Sequence, residues 1–112
     1  MEPLSFVYHP TFDRAAEGML TDEQMIAVED MLMVDPRRGD VIQETGGARK
    51  LRVALPGRGK SGGARLIYVY IEIGAAIHSL LCYPKNVRGN LSAQQKQALR
   101  GIVTAIKREY AP

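Results

Sequence analysis

The chain has 112 residues and a mass of 12.4 kDa, a size typical of one domain. Its 46% hydrophobic and 24% charged residues are the mix of a soluble globular protein, which excludes a mainly disordered or fibrous chain. No apolar run approaches the roughly 18 residues of a membrane span, and no signal peptide is visible. The single Cys82 can form no internal disulfide, as in a reducing compartment. We therefore predict one cytoplasmic domain over residues 1–112.

Charge is distributed unevenly along the chain. Residues 1–47 carry three basic and ten acidic side chains, a net of −7, whereas residues 48–112 carry twelve basic and two acidic ones, a net of +10. Six basic residues, six glycines and no acidic residue lie between Gly46 and Arg65. Clustered positive charge attracts phosphate, so the second half predicts a surface for a polyanion. The alternative is that the two halves pack together and their charges cancel.

The first half predicts one strand and two helices. The short apolar stretch Leu4–Tyr8 indicates a strand, and Phe12–Leu20 favours a short helix. Thr21 and Gln24 form a capping box that begins a second helix, which we expect to run to about Val34. It ends there because the residue before Pro36 is pushed out of helical geometry.

The second half predicts three strands and a last helix. The strands are Leu51–Leu55, Leu66–Ile73 and Ala76–Tyr83, and Gly74 closes a hairpin between the second and third. The first strand alternates apolar and polar residues, whereas the other two are apolar on both faces, as in a sheet covered on both sides. A capping box at Ser92–Gln95 begins an amphipathic helix that continues to Tyr110. The predicted order is β-α-α-β-β-β-α.

Several familiar motifs are excluded. Gly57–Gly62 fits a dinucleotide-binding glycine pattern, but a strand rather than a helix follows it. A phosphate-binding P-loop would need glycine where Ala54 stands. Only His9, His78 and Cys82 are available as soft metal ligands, and no serine-nucleophile motif is present. We expect no metal and no cofactor.

The basic residues of the strands suggest phosphate chemistry. Lys50 and Arg52 lie two residues apart on one face, about 7 Å from each other, and Arg65 can sit beside them in the next strand. Tyr83 and Lys85 share one face at the end of the third strand. Such a cluster can grip a phosphodiester, and it can also cleave RNA without metal by promoting attack of the ribose 2′-hydroxyl on its own phosphate. The alternative is a solvated basic loop that binds nothing.

Two segments carry a family resemblance. Gly46–Arg52 (GGARKLR) and Gly57–Tyr68 (GRGKSGGARLIY) resemble the RelE/HigB-like toxins of bacterial type II toxin–antitoxin systems. Further matches extend the resemblance to nearly the whole chain: Leu20–Glu23, Asp35–Pro36 with Gly39–Ile42, Leu80–Lys85 and Leu91–Ser92. It implies an α+β fold in which N-terminal helices and a C-terminal helix pack on a curved antiparallel sheet of about four strands. It also implies a metal-independent endoribonuclease, an mRNA interferase that cuts messages during translation.

The resemblance also implies a basic cleft, whose matching positions are Lys50, Arg52, Arg65 and Lys85. Lys50 or Lys85 is expected to handle protons, Arg52 and Arg65 to hold the scissile phosphate, and Tyr83 to stack on a base. Contacts with the message or the ribosome are assigned to Arg49, Arg58, Lys60 and Arg88. Some relatives carry a catalytic tyrosine near the C-terminus, but Tyr110 falls on the apolar stripe of the last helix and is interpreted as a packing residue. The identity of the general base and acid therefore stays open.

Partners follow from the same resemblance. It implies a cognate antitoxin, HigA-like with a helix-turn-helix, together with the 70S ribosome and mRNA as the place of action. Two alternatives remain: a ParE-like inhibitor of DNA gyrase, and a non-catalytic module that binds nucleic acid. The cationic set favours RNA cleavage over gyrase inhibition, which does not require it.

Overall fold

A computed structural model of the chain describes residues 3–54, 63–85 and 90–111. The elements are, in chain order, β1 (Ser5–Tyr8), α1 (Pro10–Ala16), α2 (Asp22–Val34), β2 (Asp40–Val41), β3 (Arg49–Ala54), β4 (Gly63–Ile71), β5 (Ala76–Pro84) and α3 (Ala93–Tyr110). The predicted order is confirmed, with the two-residue strand β2 as an addition. None of the helices in the described ranges has the length and apolar character needed to span a bilayer.

The five strands form one sheet in the order β1-β5-β4-β3-β2. Strands β2 to β5 pair antiparallel with their neighbours, whereas β1 pairs parallel to β5. The predicted α+β fold is confirmed, and the sheet has five strands where about four were expected. The additional strand β2 and the parallel orientation of β1 have separate causes. A strand of two residues carries no alternation to detect, and the orientation of β1 depends on a partner about seventy positions away.

Local sequence signals place the helix ends. Thr21 Oγ1 accepts a hydrogen bond from the Gln24 N–H at 3.1 Å, and Gln24 Oε1 accepts one from the Thr21 N–H at 2.8 Å. Ser92 and Gln95 repeat both bonds at the start of α3. Helix α1 ends at Ala16, earlier than predicted, and Gly18 follows at a φ of 77°. A left-handed residue cannot continue a helix, so the apolar residues after Ala16 belong to a turn.

Helices cover both faces of the sheet. Phe12 of α1 and Leu32 of α2 pack with strand residues such as Leu66 in one buried cluster. Leu99 and Val103 of α3 pack with Ile67, Val69 and other residues of β4 and β5 in a second cluster on the opposite face. The two faces of the sheet are therefore distinct surfaces, one beneath α1 and α2 and the other beneath α3.

Candidate functional site

Strand register brings the predicted catalytic residues to one end of the sheet. Arg52 of β3 lies opposite Arg65 of β4, and Arg65 lies opposite Tyr83 of β5. These three residues form one row across three strands. Lys50 stands two positions along β3 on the same face as Arg52. The Lys85 N–H donates to the Gly63 carbonyl at 2.8 Å, which extends the pairing and keeps Lys85 next to the end of β4.

Alternation along the strands decides which face carries the charge. Leu51 and Val53 are buried beneath α1 and α2, so their neighbours Lys50 and Arg52 point to the face that α3 partly covers. Ala64 and Leu66 bracket Arg65 in the same way. Exposure decreases across the row, since Arg52 is exposed, Arg65 is half-buried and Tyr83 is 6% exposed. Lys50, two positions from Arg52, is also half-buried.

A cleft opens between the β2–β3 edge and the beginning of α3. It has a volume of about 350 Å³. Its polar lining consists of Asp40 of β2, Gln43, Lys50 and Arg52 of β3, Asn90, and Lys96 of α3. Where both partners belong to the described residues, the one ion pair joins Arg37 and Glu72, at 2.9 Å. The three cations of the cleft therefore have no carboxylate within ion-pair distance in that part of the chain. They are available to bind a phosphate.

Arg49 and Tyr68 hold the segment that leads into β2. Arg49 Nη1 donates to the carbonyls of Arg37 at 3.0 Å and Gly39 at 2.8 Å. The buried Tyr68 hydroxyl accepts from the Gly39 N–H at 2.9 Å and donates to the Pro36 carbonyl at 2.8 Å. Burial raises the pKa of Tyr68, so the hydroxyl keeps its proton for this bond. Together they fix one wall of the cleft. The predicted RNA contact of Arg49 stays a prediction, and Arg58, Lys60 and Arg88 lie outside the described residues.

Tyr83 belongs to the buried cluster beneath α3, together with Leu91 and Leu99. Because it is 6% exposed, little of its ring faces solvent. We expect its packing to hold the neighbouring Arg65 in the row. Its stacking on a base stays a prediction.

Comparison with known proteins identifies the family. The family model of the RelE toxin of the RelE/RelB toxin–antitoxin system matches residues 7–110. The chain belongs to the RelE toxin family. This confirms the resemblance drawn from the sequence motifs.

Two solved structures have a similar fold. One is E. coli toxin RelE, as a double mutant in the free state, with a TM-score of 0.54, 15% identity and coverage of 91% of this chain and 98% of that chain. The other is the archaeal RelE–RelB complex from Pyrococcus horikoshii OT3, with a TM-score of 0.52, 19% identity and coverage of 78% of this chain and 100% of that chain. The sheet and helices described above are thus those of RelE toxins.

Within this RelE-type fold, sequence reasoning missed two charged residues of the cleft. Lys96 was interpreted only as part of the polar side of α3, although it lines the cleft. Asp40 lies opposite Lys50 in the β2–β3 register. The position of Asp40 in the segment Gly39–Ile42 indicated no functional role. The spacing of Lys96 indicated an outward side chain but not the surface that it faces.

A second polar cluster lies at the other end of the sheet. His78 Nε2 and the Tyr110 hydroxyl are 2.8 Å apart, and His78 Nδ1 and His9 Nε2 are 2.9 Å apart. Tyr110 also packs against the cluster beneath α3, as its position on the apolar stripe predicts. Desolvation, and then the charge of His9, lower the pKa of His78. Within the described ranges, no three His, Cys, Asp or Glu residues are grouped so as to hold a metal ion.

Proposed function

We propose that this protein is the toxin of a type II toxin–antitoxin system and that it cleaves mRNA on translating ribosomes in the cytoplasm. One observation carries the proposal. Arg52 and Arg65 pair across adjacent strands, and Arg52, Lys50 and Lys96 line one cleft. None of these cations has a carboxylate within ion-pair distance in the described residues. Guanidinium and ammonium groups gathered at one sheet end are suited to a phosphodiester, because each phosphate oxygen can accept a charged hydrogen bond.

The chemistry is an internal transesterification. The ribose 2′-oxygen attacks the adjacent phosphorus while a base removes its proton, and the bond from phosphorus to the 5′-oxygen breaks as an acid supplies a proton to that oxygen. The products are a 2′,3′-cyclic phosphate and a 5′-hydroxyl. Negative charge increases on the non-bridging oxygens in the transition state, which Arg52 and Arg65 stabilise. Lys50 or Lys85 carries the protons.

The proposed partners are the 70S ribosome, with the message that it is translating, and a cognate antitoxin. A toxin–antitoxin family and a related archaeal protein solved as a RelE–RelB complex support the antitoxin. An acidic antitoxin segment laid over the cleft would occupy the sites of the phosphates. We expect a HigA-like antitoxin with a helix-turn-helix.

Primer extension on a reporter message tests this function. The purified protein is added to a bacterial translation extract, with and without ribosomes. Cuts that appear only during translation and disappear with Arg65→Ala are expected. Arg14→Ala is the matched control, because Arg14 belongs to α1 on the other side of the sheet. An intact message in every lane would exclude the nuclease, and DNA breaks in expressing cells would then indicate gyrase as the target. Cuts on naked RNA would keep the nuclease but exclude the ribosome requirement.

A further inference from the structure

One side of α3 carries three cations, of which Lys96 alone lines the cleft of the proposed function. Lys96, Arg100 and Lys107, here called the cationic flank, are spaced by four and seven residues. At 3.6 residues per turn they lie within about 40° of one another around the helix, over a length of about 16 Å. Arg100 and Lys107 are exposed, and Lys96 is half-buried where it lines the cleft. The cationic flank therefore begins at the cleft and leads away from it.

The cationic flank lies beside a tight turn. Lys107 Nζ donates to the Gly46 carbonyl at 2.6 Å, and a methyl group at Gly46 would lie 4.0 Å from Cγ of Arg100. Gly46 and Gly47 have φ of 77° and 122°, a conformation that side chains disfavour. Thr45 braces the turn, since its buried hydroxyl donates to the Ile42 carbonyl at 2.7 Å and accepts from the Ala48 N–H at 3.1 Å. The turn thus fixes the position of the flank relative to the cleft.

Positive charge predominates around the flank, although Asp40 lines the cleft beside Lys96 and Glu109 lies near the end of α3. Residues 91–108 contain no acidic side chain. Residues 10–35, which form α1, α2 and their connections, contain seven acidic side chains and one basic one, and these two helices pack on the opposite face of the sheet. A polyanion is attracted to the α3 side and repelled from the other. The cations of the flank have no carboxylate within ion-pair distance among the residues described.

We propose that the cationic flank is a second phosphate-binding segment, which holds the single-stranded RNA that leaves the cleft. The inference rests on the proposed function, since the same strand occupies the cleft. Lys96 belongs to both surfaces, so a strand that leaves the cleft at this side meets Arg100 next and Lys107 after it. Each contact is electrostatic and independent of base identity. Affinity for RNA therefore increases with its length beyond the few nucleotides that fill the cleft.

Fluorescence anisotropy with 2′-O-methyl RNA tests this length dependence, because a blocked 2′-hydroxyl cannot attack. Four-nucleotide and twelve-nucleotide RNAs are titrated at several salt concentrations. The slope of log affinity against log salt is negative. For the longer RNA, Arg100→Gln reduces its magnitude by about 0.7, and Arg100→Gln with Lys107→Gln reduces it by about 1.4. The short RNA binds both variants like the wild type. Arg100→Lys keeps the wild-type slope.

Arg108→Gln is the matched control, because it removes one charge from the same helix about a quarter turn away from the flank. It leaves both slopes unchanged. A thermal melt of each variant checks folding, since Lys107 also holds the Gly46 turn. The proposal is wrong if Arg100→Gln leaves the longer RNA unaffected, if it weakens both RNAs equally, or if Arg108→Gln has the same effect.

Two further results separate this inference from the proposed function. If Arg100→Gln weakens co-sedimentation with message-free ribosomes but not oligonucleotide binding, the flank binds ribosomal RNA and the inference is wrong. If the wild-type protein binds neither RNA, the inference is also wrong, and the translation extract decides the nuclease function independently. If Arg52→Gln leaves binding of the short RNA intact, the cleft is not the site of that RNA and the inference is wrong, whereas the translation extract again decides the nuclease function.

Discussion

Gly39 stands where the chain enters β2, and an added methyl group tests the packing of the cleft wall. In Gly39→Ala the new Cβ would lie 2.9 Å from Cε1 of Tyr68, 3.0 Å from the Lys50 carbonyl oxygen and 3.1 Å from its carbon. Neither neighbour can move easily. The Tyr68 side chain is fully buried and hydrogen-bonded, and the Lys50 backbone belongs to the β3 ladder. The substitution therefore pushes β2 away from β3.

The expected cost has two parts. Overpacking at such contacts costs about 1–3 kcal/mol. Loss of the bond from the Gly39 N–H to the Tyr68 hydroxyl adds about 1 kcal/mol. For a domain of this size the sum lowers Tm by roughly 10–25 °C. Since β2 forms one wall of the cleft, affinity for a short RNA falls as well.

Gly101→Ala is the matched control. Gly101 is exposed in the middle of α3, and nothing lies within 4 Å of its added methyl group. The same chemical change there stabilises the protein by about 0.5–1 kcal/mol, because alanine is the better helix former. Thermal unfolding followed by circular dichroism measures both variants. A Gly39→Ala protein as stable as the wild type would refute the packing argument, and so would equal losses at both positions.

Three further predictions follow from side-chain chemistry. The pKa of His78 is lowered in the fold, so below pH 6.5, the ordinary pKa of histidine, the unfolded chain binds a proton that the folded chain does not. The free energy of unfolding is therefore highest above pH 6.5 and decreases as the pH falls. Urea titrations should show a weaker dependence of this free energy on pH for His78→Gln than for the wild type. Tyr68→Phe leaves the Gly39 N–H and the Pro36 carbonyl without their partner, so urea unfolding should show a loss of about 1–3 kcal/mol; an unchanged midpoint would contradict this. Asp40→Asn removes the negative charge opposite Lys50, so anisotropy should show tighter RNA binding. An unchanged affinity would mean that the phosphate binds away from Lys50. If cleavage slows although binding is tighter, Asp40 acts as a base.

Sequence signals that act over a few residues were sufficient to predict where the helices begin and end. Thr21–Gln24 and Ser92–Gln95 specify the starts of α2 and α3, because a capping box satisfies backbone groups within four residues. Pro36 places the end of α2 in the same way, through the residue that precedes it. The alternation in β3 also predicted that Lys50 and Arg52 share a face, since the side-chain period of a strand is two. These signals act over a few residues, so they can be recognised without the fold.

The tertiary structure alone decided what those side chains face. The pairing of Asp40 with Lys50 and the approach of Lys96 to the cleft join residues far apart in the chain. The burial of Tyr83 depends on α3 lying over β5, which an apolar strand pattern does not reveal. Such contacts form because whole apolar surfaces of helices and strands are removed from water together. The spacing of residues in the sequence indicates local structure only, and does not identify the distant residues that a side chain will contact. The sequence therefore predicted the cations of β3 and β4, but not the residues of β2 and α3 that enclose them in a cleft.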